Sequence, residues 1–350
     1  MITYRVIAYS RMAGQSDGRV DVNKSDTATH RDRTLTVRVA NVTDEAEGIR
    51  SFLLQAGNGC TLPPFTPGAH IDVLIAPDLI RQYSLAGNPA EATSYLIAVL
   101  REDQGRGGSK AMHAVAAGDT LTISPPKNNF PLAGLEASFH LLIAGGIGIT
   151  PMLAMIAELE RRRTDWQLHY CTRSLERTPF RKLLRPHIEA GKVILHHDGG
   201  DPAKGLDVAG LLAQYQPGNH VYVCGPKGLI QAAKSAVGAW PPHCVHVEHF
   251  TATELSAEDA AWDNKPFKLK VAKTGKIIDV PARVSAVDAL RKAGYEIETS
   301  CLEGYCGTCI TRYSAGDPVH RDTVLSDAER KRYVMLCRVR SRSRTLVIDI

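Results

Sequence analysis

The 350-residue sequence predicts three consecutive domains: an antiparallel β-barrel, an α/β domain with a parallel sheet, and a compact α+β domain. Three observations carry that prediction. Residues 34–124 hold short β-branched or alternating runs broken by Gly, Pro and Asn. Residues 138–250 change rhythm to apolar strands separated by helical stretches. The final part sets four cysteines beside one clear helix and a few strands. Length alone already argues against a single core.

In the first block, TLTVRVANV, IRSFLLQA, HIDVLIA, RQYSLA, SYLIAVLR and DTLTIS are six strand candidates, and SKAMHAVAA is one small helix. Six strands with little helix predict a closed or nearly closed barrel over residues 33–132. Ahead of it, residues 1–32 are polar and lack apolar periodicity, which predicts a flexible extension in which only YRVIAY can add an edge strand.

In the second block, residues 133–250, the strands are HLLIA, WQLHYC, KVILHH, HVYVCG and VHVEHF. PMLAMIAELERRR, PFRKLLRPHIEA and KGLIQAAKSAVGAW supply helices between most of them, as a parallel sheet covered on both faces requires. TATELSAEDAAWDNK, residues 251–265, has no strand signal and reads as a linker. Over residues 266–350, FKLKVAKTG and KIIDV form a hairpin, and Ser285 with Asp288 opens the helix VDALRKAG as a capping box. Ser326 with Glu329 opens a second short helix, and TLVIDI closes the domain as a strand.

Hydrophobic content of 44% and charged content of 23% are ordinary for a globular protein. A net charge of +5 is only mildly basic and does not by itself point to nucleic acid. The start, MITYRVIAYSRMAGQ, has no basic region followed by an apolar stretch, and no apolar run reaches the roughly eighteen residues of a membrane span. Cys60, Cys171, Cys224 and Cys244 are scattered, which suits a reducing cytoplasm better than a disulfide framework.

The other four cysteines are not scattered. Cys301, Cys306 and Cys309 follow the pattern C-x4-C-x2-C, and Cys337 comes 27 residues later. Thiolates suit zinc or iron–sulfur clusters, but zinc sites favour pairs of short knuckles. One loop giving three ligands and a distant cysteine giving the fourth is the spacing of a plant-type [2Fe–2S] centre. Gly304 and Gly307 can take positive φ and let backbone N–H groups approach the cluster sulfides.

Two further motif pairs suggest bound anions. In LLIAGGIGITPM a strand ends in Gly145, Gly146 and Gly148, and Pro151 falls in the first helical turn, a favoured place for proline. Glycines admit a phosphate-bearing ligand to the backbone, and a helix start offers unpaired N–H groups. The motif is short of the full G-x-G-x-x-G fingerprint. CGPKG repeats the arrangement with Cys224, Gly225 and Pro226 at a strand's carboxyl end, where ligands of open α/β sheets collect. CTRS brings Thr172, Arg173 and Ser174 within reach of a ribose or phosphate. In the barrel, RQYSL supplies Arg81, Gln82, Tyr83 and Ser84, and GRGGS supplies Gly107, Gly108 and Ser109. A guanidinium with a Gly-Gly-Ser turn makes a phosphate cradle. Tyr83 offers a face to a flat ring, and Ser84 a hydroxyl to its edge.

Taken together, RQYSL, GRGGS, GGIGITPM, CGP, VEHF and the cysteine set resemble the phthalate dioxygenase reductase type of flavin–iron–sulfur reductase, vanillate O-demethylase reductases included, over about residues 34–350. The resemblance implies a flavin-binding barrel, a ferredoxin-reductase-like nicotinamide domain and a C-terminal β-grasp ferredoxin domain. It implies flavin contacts at Arg81, Gln82, Tyr83, Ser84, Gly107, Gly108 and Ser109. On the nicotinamide side it implies Gly145, Gly146, Gly148, Thr150, Pro151, Thr172, Arg173, Cys224, Gly225 and Pro226. Glu248 and Phe250 match the segment that approaches the flavin ring, and Ser84, Cys224 and Glu248 are the expected catalytic residues. Cys301 and Cys306 would hold one iron, Cys309 and Cys337 the other.

The implied function is that of an NADH-dependent reductase component of a Rieske-type aromatic oxygenase or demethylase. Electrons would pass from NADH to FMN to [2Fe–2S] to a separate oxygenase, in a cytoplasmic monomer with no nucleic-acid or membrane partner. FMN is expected over FAD because family members with this domain order usually carry it. NADH is expected over NADPH, although Arg173 and Arg177 are placed to meet a 2′-phosphate. In CRVRSRSR, Arg338, Arg340, Arg342 and Arg344 recur at period two, so an extended segment would present them on one side, either as a solvated strand face or as a docking face for an acidic oxygenase surface, with Arg330, Lys331 and Arg332 close by. Two rivals fit less well. The iron–sulfur flavoprotein partner of dihydroorotate dehydrogenase spaces its cysteines more closely, and a [2Fe–2S] redox sensor finds no resemblance here to a DNA-reading element.

Overall fold

Where β-branched and apolar residues alternate in the first block, the chain forms six antiparallel strands. The computed structural model describes residues 34–57, 61–76, 79–91, 93–134, 136–250, 255–325 and 327–350. Residues 1–32 with YRVIAY, Cys60, and Ser326 of the second capping box lie outside them. The strands are β1 (Leu35–Ala46), β2 (Ile49–Ala56), β3 (His70–Ala76), β4 (Leu79–Ser84), β5 (Ser94–Leu100) and β6 (Thr120–Ile123), in the order β4-β3-β6-β1-β2-β5. The Ala86 N–H donates to the Leu96 carbonyl at 2.8 Å and draws the two ends of the sheet together. Inside lie Phe52, Leu54, Ile71, Val73, Tyr95 and Ile97, and helix α1 (Gly108–Ala114) adds Met112 to that core.

The second sheet contains β7 (Phe139–Gly145), β8 (Asp165–Thr172), β9 (Val193–His197), β10 (Asn219–Cys224) and β11 (Val245–Glu248). All pair in parallel, in the order β11-β10-β7-β8-β9. Helices α2 (Ile149–Arg162), α3 (Arg181–Glu189), α4 (Val208–Leu212) and α5 (Lys227–Ala236) connect them. Helix α4 has no separate signal in the sequence, and its start is capped by the Asp207 carboxylate accepting from the Gly210 N–H at 2.9 Å. The chain moves from β7 outward to β9, then returns to the other side of β7 with β10. The β7–β10 boundary is therefore the switch point, where both glycine turns sit. Barrel and sheet share one apolar core: Ile49, Ala86, Ala98 and Phe130 pack with Ile149, Met152 and Trp166.

The C-terminal part has a separate core. Its main sheet is built from β12 (Phe267–Val271), β13 (Ile277–Val280), β14 (Ile310–Ala315), β16 (Tyr333–Met335) and β18 (Thr345–Ile348). The order is β13-β12-β18-β14-β16, with β12 and β18 parallel and the remaining pairs antiparallel. Short strands β15 (Pro318–Val319) and β17 (Arg340–Ser341) pair separately, and α8 (Asp327–Arg330) precedes β16. Helix α7 (Ala286–Lys292) packs on the sheet through Val287 and Leu290, and the Ser285 hydroxyl accepts from the Asp288 N–H at 3.0 Å as a capping box requires.

The linker carries local structure, and one expectation, that of the basic face, needs correcting. The described part of the linker is ordered into α6 (Ala257–Ala261) and a 3-10 turn, Trp262–Asn264. The Arg321 guanidinium holds it by donating to the Asp263 carboxylate at 2.8 Å and the Asp259 carbonyl at 3.2 Å. The one-sided basic face on CRVRSRSR does not form. Residues 336–338 turn, with the Arg338 N–H donating to the Met335 carbonyl at 2.9 Å. Arg340, only 2% exposed, points inward and donates to the carbonyls of Trp262, Val284 and Lys265 at 3.2, 2.7 and 2.5 Å. Arg342 and Arg344 remain exposed.

Candidate functional site

At the switch point, the two glycine turns pack backbone on backbone. A Cβ on Gly148 would lie 2.2 Å from the Cys224 carbonyl oxygen, and one on Gly225 would lie 2.9 Å from Gly145 Cα. A Cβ on Gly145 would meet the Pro226 ring at 2.5 Å. Gly146 differs: its φ is +52° and nothing lies within 4 Å of its Cβ position, so its face is open. Thr150 and Pro151 fall in the first turn of α2, and the buried Thr150 hydroxyl donates to the Ile147 carbonyl at 3.0 Å. Thr172, also buried, shares its hydroxyl with Thr178 at 2.7 Å and His197 at 3.0 Å, which leaves the exposed Arg173 as the outward group of CTRS. Arg177 pairs with Glu47 of the barrel at 2.6 Å and so is engaged.

On the barrel, Arg81 and the GRGGS turn come together as the motif pair requires. Gly107 caps α1 at φ +85°, and a Cβ on the buried Gly108 would lie 2.7 Å from Arg81 Cγ. The Ser109 hydroxyl accepts from the Glu102 N–H at 3.0 Å. Further along β4, Tyr83 is half-buried, and burial pushes its hydroxyl up while Arg81 opposes the shift.

A cleft joins the three parts of the chain. Gln82 and Ser84 line it from β4, His70 from β3, Val247, Glu248, His249 and Phe250 from the end of β11, and Tyr305 and Cys306 from the cysteine loop. Four buried polar atoms in its walls have no protein partner: His70 Nε2, Gln82 Oε1, Glu248 Oε2 and Thr323 Oγ1. Orphaned polar atoms at a cleft wall mark places where a polar ligand edge completes the hydrogen bonding. Burial pushes the Glu248 carboxyl up to about 8, so it is largely protonated at neutral pH. Beside it in strand register, Cys224 is fully buried and its thiol is pushed well above the ordinary range by desolvation.

Cys301, Cys306, Cys309 and Cys337 are all buried, with exposures of 4–8%. Their sulfurs converge. Hydrogen bonds from Cys306 and Cys337 hold the Cys301 thiol far below its usual range, and Cys337 lowers that of Cys309. The Glu303 N–H donates to the Cys301 sulfur at 3.3 Å, and the Cys337 N–H to the Cys309 sulfur at 3.4 Å. Gly304 and Gly307 take φ of +78° and +76°, as expected of a loop that aims N–H groups inward. Four converging thiols with N–H donors fit a cationic iron–sulfur centre.

The sequence reading missed the wall residues His70, Asn129, Tyr305 and Thr323, and the buried pair Asp72 and Ser300 that hydrogen-bonds to Gln82 behind them. Only HIDVLIA carried a signal, because a His and an Asp are out of place in a buried strand run.

A family model described as a 2Fe-2S iron-sulfur cluster binding domain matches residues 269–342. With the barrel and parallel sheet before it, this defines the class: flavin–iron–sulfur oxidoreductases that take electrons from pyridine nucleotides. Over 326 residues the chain is 37% identical to phthalate dioxygenase reductase of Burkholderia cepacia, covering 93% of this chain and 100% of that one. Over 335 residues it is 42% identical to the tert-butanol monooxygenase / tert-amyl alcohol desaturase reductase subunit of Aquincola tertiaricarbonis, covering 93% and 99%. Among solved structures, phthalate dioxygenase reductase aligns with a TM-score of 0.69 at 37% identity, over 92% of this chain and 100% of that one. An intact type IV self-sufficient cytochrome P450 monooxygenase aligns at 0.81 and 32% identity, over 94% of this chain and 43% of that one. The chain belongs to the phthalate dioxygenase reductase family, and residues 269–342 are its [2Fe–2S] cluster binding domain.

Proposed function

We propose that this chain is the NADH-dependent reductase component of a multicomponent oxygenase, delivering electrons to a separate Rieske-type terminal oxygenase. The observation that carries the reading is the cleft walled at once by β4, the end of β11 and the cysteine loop. Donor, relay and exit groups must meet within a short distance, and that cleft is where the parts meet.

FMN, when bound, takes two electrons as hydride and releases them one at a time, which a nicotinamide and a [2Fe–2S] centre cannot do between them. The residues have separable tasks. Arg81, with Gly107, Gly108 and Ser109, holds the flavin phosphate. Gln82, Tyr83, Ser84 and Phe250 bound the ring, with Gln82 Oε1 and His70 Nε2 supplying unmet polar atoms at its edge. Glu248, kept protonated by burial, presents a hydrogen-bond donor to the same space. Gly146 admits the pyrophosphate, Gly145, Gly148, Gly225 and Pro226 hold the two turns together, and Cys224 closes the floor without ionising. Thr150 and Pro151 fix the start of α2. Thr172 anchors the CTRS loop so that Arg173 faces the nucleotide. Cys301, Cys306, Cys309 and Cys337 hold the cluster.

With Arg177 engaged by Glu47, one of the two arginines able to meet a 2′-phosphate is occupied, which favours NADH. Relatives named for phthalate and for tert-butanol share this architecture, so substrate choice belongs to the oxygenase. The chain works in a reducing cytoplasm. In support, the seven described cysteines are all free, and no helix among the described residues is long and apolar enough to cross a membrane.

Anaerobic titration of the purified protein with NADH tests the reading. Flavin and cluster bands should bleach in turn, heat should release FMN, and a purified Rieske oxygenase should reoxidise the protein. Protein without flavin, or without acid-labile sulfide, would end the proposal.

A further inference from the structure

Barrel and parallel sheet are joined by a shared apolar core, but the cysteine domain has a core to which the barrel contributes nothing. Its cysteine loop is held on the barrel by polar contacts. Arg106 pairs with Glu303 at 3.1 Å, and the Asn129 side-chain amide donates to the Cys306 carbonyl. Both of those barrel residues are exposed. The third contact is buried. The Ser300 hydroxyl, next to Cys301 and 8% exposed, donates to Asp72 Oδ1 at 2.5 Å and accepts from the Gln82 side-chain amide.

Asp72, on β3 and only 2% exposed, is itself tied down on several sides. Lys127 Nζ donates to its Oδ2 at 3.1 Å, the Gln82 amide to its Oδ1 at 3.0 Å, and its own N–H donates to the Ser124 hydroxyl at 2.9 Å. Gln82 belongs to both the contact and the cleft. Its nitrogen serves Asp72 and Ser300, while its oxygen is one of the orphaned atoms of the cleft wall.

We propose that Asp72 is a positioning residue for electron transfer: it latches Ser300, and with it the Cys301 loop, to the cleft wall and so fixes the gap the electron crosses. The latch forms and breaks no bond in the reaction. It rests on the reductase reading above and adds to it a reason for the two centres staying at one separation. Electron transfer slows as donor and acceptor move apart, so a loop freed from the wall should pass electrons more slowly.

The test uses the holoprotein under anaerobic stopped flow. With Ser300→Ala, flavin reduction by NADH should keep its rate, while subsequent cluster reduction slows severalfold. Amide hydrogen exchange over residues 301–306 should quicken in the same protein, and Ser300→Thr, which keeps the hydroxyl, should restore both. Asp72→Ala, which lies on β3 of the barrel and not in the cysteine loop, should give the same split and guards against a Ser300 variant that loses its cluster. Unchanged cluster reduction in both alanine variants, or slowing without faster exchange, overturns the latch. If NADH fails to reduce the flavin of the unaltered protein, it is the reductase reading that falls.

Discussion

The nicotinamide-side turns and the cysteine loop are both rich in glycine, yet the glycines answer different demands. At Gly148 and Gly225 there is no room, because another stretch of backbone occupies the Cβ position, and at Gly145 the Pro226 ring does so. At Gly304 and Gly307 the demand is conformational, a left-handed φ, and the nearest atoms belong to the side chains of Arg338 and Asn129. Backbone held in a sheet cannot yield; a side chain can swing away. The first region is therefore fixed by packing within one domain, and the second by torsion and by contacts with another.

The sharpest way to break that contrast is Gly148→Val against Gly307→Ala. The valine must force β10 away from α2, and overpacking of this kind costs up to about 3 kcal/mol. We expect a large fall in melting temperature and loss of NADH binding, followed by calorimetry and fluorescence titration. Gly307→Ala carries mainly the left-handed strain of about 1–2 kcal/mol. If the two variants melted alike, the contrast would be wrong.

The same division explains what could be read in advance. Runs such as SYLIAVL and HLLIA show their strands because one or both faces are buried along their length, and all eleven strand candidates of the first two blocks form. Strands β15 and β17 have two residues each, too few for any period to appear. The four cluster cysteines were visible because their spacing is a local fact. Ser300 and Asp72 were not, because a contact between residues so far apart leaves no pattern in either segment. Arg340 misled for a related reason. Period two states which side chains share a side of an extended strand, and the turn at 336–338 removed that premise.

Arg340 and Arg342 sharpen the comparison at intermediate size. Arg340→Met strips donors from buried carbonyls and should cost about 3 kcal/mol, since each unsatisfied group carries its own desolvation penalty. Arg342 is exposed, and its contact with Asp317 is 3.4 Å long, so Arg342→Met should change stability by less than about 1 kcal/mol. Chemical denaturation of the two holoproteins, followed by loss of the cluster absorbance, distinguishes them. Equal midpoints would mean that the buried guanidinium does not hold the 262–265 segment in place.

A further effect, read as a slope against pH, lies where the regions meet. Glu248 ionises near 4.5 in the unfolded chain but near 8 when folded, because burial penalises its charge. Between those values the folded protein binds the extra proton, so stability falls as pH rises. The stabilisation is complete below about 4.5 and lost by the time the folded group ionises. In flavin-depleted protein, Glu248→Gln should flatten the decline in melting temperature from pH 5 to 8 by a few degrees, because glutamine has no proton to lose. Gln82→Leu, which alters the same cleft without a titrating group, should leave the slope as it was. Identical slopes in the unaltered and Glu248→Gln proteins would show that the carboxyl is solvated in the cleft, and would remove its role as a protonated donor.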